Sequence, residues 1–140
     1  LPHCDLVYTS VDCQFATPFV KLGLCQEFGA SLLFPQRLGH GRAAQLILAG
    51  ESLDARTAVN WGLCTHLLDT PAQCLAAATA QAERFAKAPL ASLQISKRLL
   101  KSPLLESLKA VVREENLQFI ARLQSEETKA ELQRILEKRK

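Results

Sequence analysis

The predicted secondary structure changes in kind near residue 70, and this change restricts the possible folds more than any other feature of the sequence. Before it, short apolar runs typical of strands, at residues 4–10, 14–16 and 63–68, alternate with loops and helices. After it, the sequence is almost wholly helical. Because two or three short strands do not form a stable sheet alone, we expect most of the sheet to belong to sequence upstream of Leu1. We therefore predict an α/β fold, with residues 1–70 completing a core and residues 71–140 forming a helical region.

Start and stop signals place the predicted helices. A helix that starts at Ala30 is expected to be interrupted or ended by Pro35, because proline has no amide hydrogen to donate. Apolar residues at helical spacing follow Gly41 and stop at Gly50, and Asp54 is predicted to be the N-cap of a helix that runs to Trp61. The remaining helices are predicted at residues 71–87, 92–101, 104–123 and 128–138.

The charge pattern argues against a nucleic-acid-binding protein. The net charge is only +3, and seven of the 17 Lys and Arg residues lie between Arg113 and Lys140, among glutamates at helical spacing. Interleaved charges of this kind usually form a solvated helix face. A composition of 48% hydrophobic and 22% charged residues also indicates an ordered globular protein rather than a disordered one.

The cysteines indicate a reducing, cytosolic-type compartment. An odd number of them, mostly in apolar runs, predicts reduced and buried thiols. Their spacing contains no CxxC pair and is not that of a metal site, so we expect no metal; they are Cys4, Cys13, Cys25, Cys64 and Cys74. No apolar run is long enough to cross a bilayer. We therefore expect a cytoplasmic protein that has no membrane partner.

One carboxylate lies in an unusual setting. The segment Phe15 to Ser31, FATPFVKLGLCQEFGAS, places Glu27 among apolar residues and glycines. A carboxylate in an apolar surround tends to have a raised pKa, which suits it to transfer protons near neutral pH. A glutamate near a helix start also commonly caps the helix or complements its dipole. The residues alone leave both roles open for Glu27.

The order of motifs along the chain resembles one enzyme superfamily. The runs CDLVYTSVDCQFATPFVKLGL, QEFGASLLFPQRLG and AAQLILAGESLDARTAVNWGLCTHLL, followed by ISKRLL and ILEKRK, are similar to the enoyl-CoA hydratase/isomerase (crotonase) superfamily over nearly all 140 residues. The resemblance implies a crotonase-like (ClpP/crotonase) α/β fold. It further implies that the chain is the C-terminal half only, with residues 1–70 as the last part of the ββα spiral and residues 71–140 as the trimerisation helices.

Within this superfamily, Phe19 bears on the type of reaction. Hydratases resemble one another in carrying two glutamates, one upstream of the segment matching Leu1 and one at the position that Phe19 occupies here. A phenyl ring cannot hold or activate water, so hydratase chemistry is disfavoured. Peroxisomal-type Δ3,Δ2-enoyl-CoA isomerases instead look like TPF, LGL and then PEG.SS. That pattern is matched by Thr17, Pro18, Phe19, Leu22, Gly23, Leu24, Glu27, Gly29 and Ser31, whereas Gln26 replaces the usual proline and Phe28 takes the following place.

The resemblance implies a site and a substrate. Glu27 would be the catalytic acid and base of an isomerase that serves fatty-acid β-oxidation, acting on an acyl-CoA thioester without a cofactor. The substrate-binding residues would be Phe19, Leu22, Leu24 and Gly29, although apolar residues there are equally typical of a core. Lys138 and Lys140 would meet the 3′-phosphate of CoA, or would simply form a basic helix end that suits the helix dipole.

Further implications concern the complete protein. The family's oxyanion-hole N–H groups come from segments that match sequence upstream of Leu1, so the chain alone is expected to be inactive. The C-terminal helices imply a homotrimer, or a hexamer made of two trimers. Two alternatives stay open: a hydratase-like enzyme that has lost its water-activating acids, and a non-catalytic module that binds acyl-CoA or only mediates oligomerisation.

Overall fold

The computed structural model describes residues 1–137. Over this range it confirms that strands and helices alternate before residue 70 and that only helices follow it. The strands all precede residue 70; they are β1 (Tyr8–Ser10), β2 (Gln14–Phe15), β3 (Leu53–Asp54) and β4 (His66–Leu68). The α-helices are α1 (Ala30–Leu38), α2 (His40–Ile47), α3 (Ala55–Asn60), α4 (Pro71–Lys87), α5 (Leu90–Lys101), α6 (Leu105–Leu123) and α7 (Glu126–Glu137). Short 3-10 turns lie at Val20–Leu22 and Ser102–Leu104.

The strands form two small pairs. β1 pairs in parallel with β4, so that Tyr8 lies opposite His66, and their rings stack with centroids 4.3 Å apart. β2 pairs antiparallel with β3, with Phe15 opposite Leu53. A parallel pair needs a crossover connection, and here α1, α2 and α3 lie between β1 and β4 in the chain. These pairings place the segment that follows β2 beside the helices of the crossover.

The hydrophobic core lies where the crossover helices meet the strands. It is built from Phe34 and Leu38 of α1, the buried face of α2, and Leu63 and Cys64 before β4. In α2 the buried residues are Ala43, Leu46 and Ile47, at the helical spacing predicted for residues 41–50. The predicted apolar stripe is therefore confirmed within α2, although the helix ends at Ile47 rather than at Gly50. The core forms one wall of the cavity described below.

Two predicted helix starts are also confirmed by their capping bonds. Asp54 accepts a 2.6 Å hydrogen bond from the Thr57 amide. Thr70 and Gln73 form a reciprocal capping box at the start of α4, with Pro71 as its first residue. Local capping chemistry explains why these boundaries could be predicted from the sequence.

Pro35 does not end α1, contrary to the prediction. The helix continues to Leu38, and the Pro35 carbonyl accepts a 2.9 Å hydrogen bond from the Gly39 amide. Proline removes its own amide donor but keeps its carbonyl acceptor. Phe34 and Leu38, on either side of it, are both buried in the core, and this packing offsets the missing bond.

The prediction that the cysteines are buried is wrong for most of them. Only Cys64 is buried; Cys4 is exposed and the others are half-buried, and all five are free thiols. The strand predicted at residues 4–10 forms only at Tyr8–Ser10. Cys4 therefore lies on an irregular surface segment, and Cys13 on the turn that joins β1 to β2.

Helices α4 to α6 expose many large apolar side chains within the described range. Examples are Leu75, Phe85, Leu90, Ile95, Leu99, Leu100, Leu117, Ile120 and Leu123. Apolar surface of this extent is typical of faces that other protein covers. None of the helices described over residues 1–137 combines the length and the apolar character needed to cross a membrane.

Candidate functional site

The segment from Phe15 to Ser31 folds as a loop with two left-handed turns. After β2, the chain forms the 3-10 turn at Val20–Leu22 and reverses at Gly23, whose φ is 71°. It then runs without regular structure to Glu27 and turns again through Phe28 and Gly29, with φ of 59° and 78°, before α1 begins at Ala30. This second turn, Glu27–Ser31, is called the Glu27 turn below.

A largely apolar cavity of about 390 Å³ lies against this loop. Its walls come from the N-terminal residues 1–3, from β2 and the segment after it (residues 14–19), from the Glu27 turn, and from core residues Phe34, Leu46 and Leu63. Among these described lining residues, Glu27 is the one carboxylate. The site thus joins a single acid to an apolar hollow of a size suited to a small organic group.

Glu27 itself is exposed at the edge of this cavity rather than enclosed by apolar residues. Its main-chain carbonyl accepts a 3.2 Å hydrogen bond from the Ala30 amide, which closes the turn into α1. The backbone therefore holds Glu27 three residues before the start of α1, at the exposed edge of the cavity.

Phe19 lines the same cavity as Glu27. Its ring is half-buried and meets the ring of Phe119 edge to face, with centroids 6.5 Å apart and planes at 83°. Edge-to-face pairs of this kind stabilise aromatic positions beyond their burial. Phe119 on α6 therefore packs against the part of the cavity wall that Phe19 forms.

The other predicted substrate-binding residues lie elsewhere in the loop. Leu22 and Leu24 are half-buried and do not belong to the cavity lining among residues 1–137. Gly29 is buried, and a Cβ there would lie 2.3 Å from Leu108 Cδ1, so its visible role is close packing against α6. The predicted contacts of these three residues with a substrate stay predictions. Lys138 and Lys140, predicted to meet CoA, lie outside the described residues.

The N-terminal residues hold the Glu27 turn from the cavity side. His3 Nε2 lies 2.7 Å from the Phe28 carbonyl oxygen, and the two rings meet edge to face at 4.7 Å. Lys101 on α5 donates to the His3 carbonyl at 2.7 Å and also pairs with Asp5. Hydrogen bonding to Lys97, joined by Lys101, lowers the pKa of Asp5. The N-terminal segment is thereby bonded both to α5 and to the Glu27 turn.

A buried glutamate from α6 holds the turn from its other end. Glu115 is only 6% exposed. Its carboxylate accepts hydrogen bonds from the Gly29 amide at 2.5 Å and from the Ser31 amide at 2.8 Å. Sequence reasoning missed this residue, because a glutamate within a charged helix is typical of a solvated face and nothing local links it to the loop.

Comparison with known proteins gives this arrangement a family. Residues 2–140 match the family model described as enoyl-CoA hydratase/isomerase. Enoyl-CoA delta isomerase 2 of Rattus norvegicus is 37% identical over 123 residues, which cover 88% of this chain and 31% of the rat protein.

Solved structures of similar proteins share the fold of this chain. The enoyl-CoA hydratase/isomerase from Pseudoalteromonas atlantica T6c superposes with a TM-score of 0.95 at 36% identity, over 98% of this chain and 55% of the other. Pseudomonas aeruginosa OdaA superposes with a TM-score of 0.92 at 39% identity, over 95% of this chain and 54% of the other. The chain thus spans about half the length of these solved relatives, and its fold is crotonase-like. On the match of the family model over residues 2–140, the chain belongs to the enoyl-CoA hydratase/isomerase family of enzymes.

Proposed function

We propose that the protein carrying this chain is an enoyl-CoA isomerase, which moves a double bond from position 3 to position 2 of an acyl-CoA with Glu27 as acid and base. The observation that supports this most directly is the single carboxylate of Glu27 in the described lining of an apolar cavity. The similarity to a rat enoyl-CoA delta isomerase points in the same direction.

The chemistry needs only one acid. The Glu27 carboxylate removes a proton from carbon 2 of the 3-enoyl thioester, and the electron pair shifts to give a dienolate. The resulting carboxylic acid then delivers a proton to carbon 4, which leaves the double bond between carbons 2 and 3 and restores the carboxylate. The isomerisation therefore consumes no water and needs no oxidant or cofactor. The exposed position of Glu27 beside the apolar cavity is suited to an acyl chain that lies along the cavity wall.

Phe19 supports isomerisation over hydration. Adding water to the double bond requires a group that holds and deprotonates that water. Phe19 offers only a ring to the cavity, and Phe119 packs against it, so this part of the wall stays apolar. Catalysis by one acid is therefore the chemistry that these residues favour.

We also propose how the complete protein is organised. The thioester oxygen of the dienolate needs two N–H donors, and the family resemblance assigns these to segments other than the residues described here. We expect these 140 residues to be the C-terminal half of the crotonase fold and to be inactive alone. The exposed apolar side chains of α4 to α6 support a homotrimer or a hexamer, whose mass sedimentation would measure.

The direct test is an isomerase assay of the full-length protein with a 3-enoyl-CoA. Glu27→Gln keeps the size of the side chain but cannot accept the proton, so we expect kcat to fall by roughly 10²-fold to 10⁴-fold. Glu83→Gln, at an exposed site on α4, is the matched control and should keep wild-type activity.

Three results would contradict the proposal in different ways. Undiminished conversion by Glu27→Gln would exclude Glu27 as the proton-transferring group. Tight binding of acyl-CoA by a wild-type protein without turnover would favour the non-catalytic module instead. Hydration of a 2-enoyl-CoA at a comparable rate would favour the hydratase-like alternative.

A further inference from the structure

Glu115 is a buried ionisable group that the proposed chemistry does not use. It lies on α6, in sequence 86 residues after Gly29 and 84 after Ser31, and is 6% exposed. A carboxylate removed from water is costly unless its oxygens are bonded. Both oxygens of Glu115 are bonded, one to the amide of Gly29 and the other to the amide of Ser31.

These two bonds replace a missing helix cap. The N-cap residue of α1 is Gly29, which has no side chain to satisfy the first amides of the helix. Glu115 supplies that cap from a distant element, and its negative charge lies at the positive end of the helix dipole. Hydrogen bonds from amides to a carboxylate are stronger than those to a neutral acceptor. Glu115 therefore fixes where α1 begins.

The start of α1 is continuous with the turn that carries Glu27. Phe28 and Gly29 both have left-handed backbone angles, and Phe28 adopts this conformation at a cost because it has a side chain. A turn of this kind persists only when its surroundings hold it. Glu115 bonds the residue directly after Phe28, and Glu27 directly precedes Phe28.

We propose that Glu115 is a positioning residue for Glu27: its buried carboxylate clamps the Gly29 and Ser31 amides, and this clamp holds the Glu27 turn in the orientation that brings the acid to the cavity. The kinetic part of the inference rests on the proposed isomerase function. Glu115 does not transfer the proton itself, since it borders a separate hollow of about 220 Å³, with Cys25 and Val111, and both its oxygens are occupied.

The experiment compares three variants in the full-length protein. Glu115→Ala removes the clamp and should lower kcat roughly tenfold or more, since small misplacements of a catalytic group are costly. KM should change by less than about threefold, because the cavity walls remain. Glu115→Gln, whose amide oxygen can accept one of the two bonds, should recover part of kcat. Glu114→Ala is the matched control, because Glu114 is exposed and bonds only Gln118 among the described residues.

Hydrogen exchange provides a second measurement that does not depend on activity. Mass spectrometry of a peptide spanning residues 27–33 should show faster amide exchange in Glu115→Ala, and to a smaller extent in Glu115→Gln, than in Glu114→Ala. Unchanged exchange in a folded Glu115 variant would overturn the clamp, and a wild-type kcat alongside faster exchange would overturn the role of Glu115 in positioning Glu27. If Glu115→Ala does not fold, the kcat and the amide exchange of Glu115→Gln test the proposal instead. A wild type without isomerase activity would contradict the proposed function and leave the clamp to be judged by exchange.

Discussion

The carbonyl oxygen of Gly23 accepts a 2.9 Å hydrogen bond from Thr128 Oγ1, although the two residues are 105 positions apart. Arg122 Nε donates to the same oxygen at 2.7 Å. Thr128 is fully buried, and a Cβ on Gly23 would lie 3.1 Å from its hydroxyl oxygen. The last two helices therefore pack on the backbone of the loop that carries Glu27, at a turn distinct from the one that Glu115 holds.

Removing the Thr128 hydroxyl should weaken this contact without creating a cavity. Thr128→Val keeps the shape of the side chain but loses the bonds to Gly23 and Ser125, so the free energy of unfolding should fall by about 1 to 2 kcal/mol. Denaturant unfolding measures the change. Thr128→Ser should retain most of the stability, and Thr79→Val on the exposed face of α4 is the control. An equal loss in Thr79→Val would show that the hydroxyl bonds at Thr128 contribute nothing specific.

Two glycine-to-alanine substitutions should change the stability of the protein in opposite directions. Gly29→Ala places a Cβ 2.3 Å from Leu108 Cδ1 at a φ of 78°, so we expect a loss of about 1 to 3 kcal/mol. Gly41→Ala lies within α2, where a Cβ meets nothing within 4 Å, and should stabilise the protein by about 0.5 to 1 kcal/mol. Thermal unfolding of both variants checks the pair. Equal shifts of Tm would contradict the role assigned to the turn at Gly29.

The thiols should react in an order set by their surroundings. Hydrogen bonding with Ser10, and then with Thr9, lowers the pKa of Cys13, whereas burial raises the pKa of Cys25 and of Cys64. Because the thiolate is the nucleophile, Cys13 should be alkylated by iodoacetamide at a lower pH than Cys25, and buried Cys64 should react last.

Mass-spectrometric labelling of the folded protein at several pH values checks this order. Ser10→Ala removes the hydrogen bond between Ser10 and the Cys13 sulfur, which is the largest cause of the lowered pKa, and should raise the pH at which Cys13 reacts. Labelling of Cys25 serves as the internal control in the same sample. Faster labelling of Cys25 than of Cys13 in the wild type would contradict the prediction.

The features that the sequence predicted well are those determined by nearby residues. The Asp54 cap, the start of α4 after Thr70 and the buried stripe of α2 depend on residues within one or two helical turns. The apolar loop around Glu27 was visible for the same reason, and the structure brings Phe19 and Glu27 to one cavity. Pro35 was mispredicted because core packing of Phe34 and Leu38 outweighs a local helix-breaking signal.

The features that sequence reasoning missed depend on contacts between distant segments. Glu115 follows Glu114 in a charged helix, and nothing within that helix shows that one of the two is buried. Its partners at Gly29 and Ser31 become visible only when α6 is packed on α1. Leu22 and Leu24 lie on the same loop as Phe19, but the 3-10 turn and the reversal at Gly23 place them away from the cavity lining among residues 1–137.

The ion pairs of Asp5 should make part of the stability depend on pH. Asp5 lies 2.7 Å from Lys97 and 3.0 Å from Lys101, and the hydrogen bond to Lys97 is the largest cause that lowers its pKa. A carboxyl with a lowered pKa in the folded state stabilises the protein above its unfolded pKa, about 3.9, and this contribution is lost as the pH falls through the folded value. Asp5→Asn should therefore reduce the free energy of unfolding at pH 7 but have a progressively smaller effect below about pH 4.

The effect should be small, because Asp5 is nearly half exposed and exposed ion pairs usually contribute less than about 1 kcal/mol. Denaturant unfolding between about pH 3 and pH 7, at low and high salt, measures it, and high salt should reduce the difference. Asp69→Asn, at an exposed site before α4, is the control. A difference between Asp5→Asn and wild type that grows as the pH falls would show that Asp5 does not stabilise the protein through its charge.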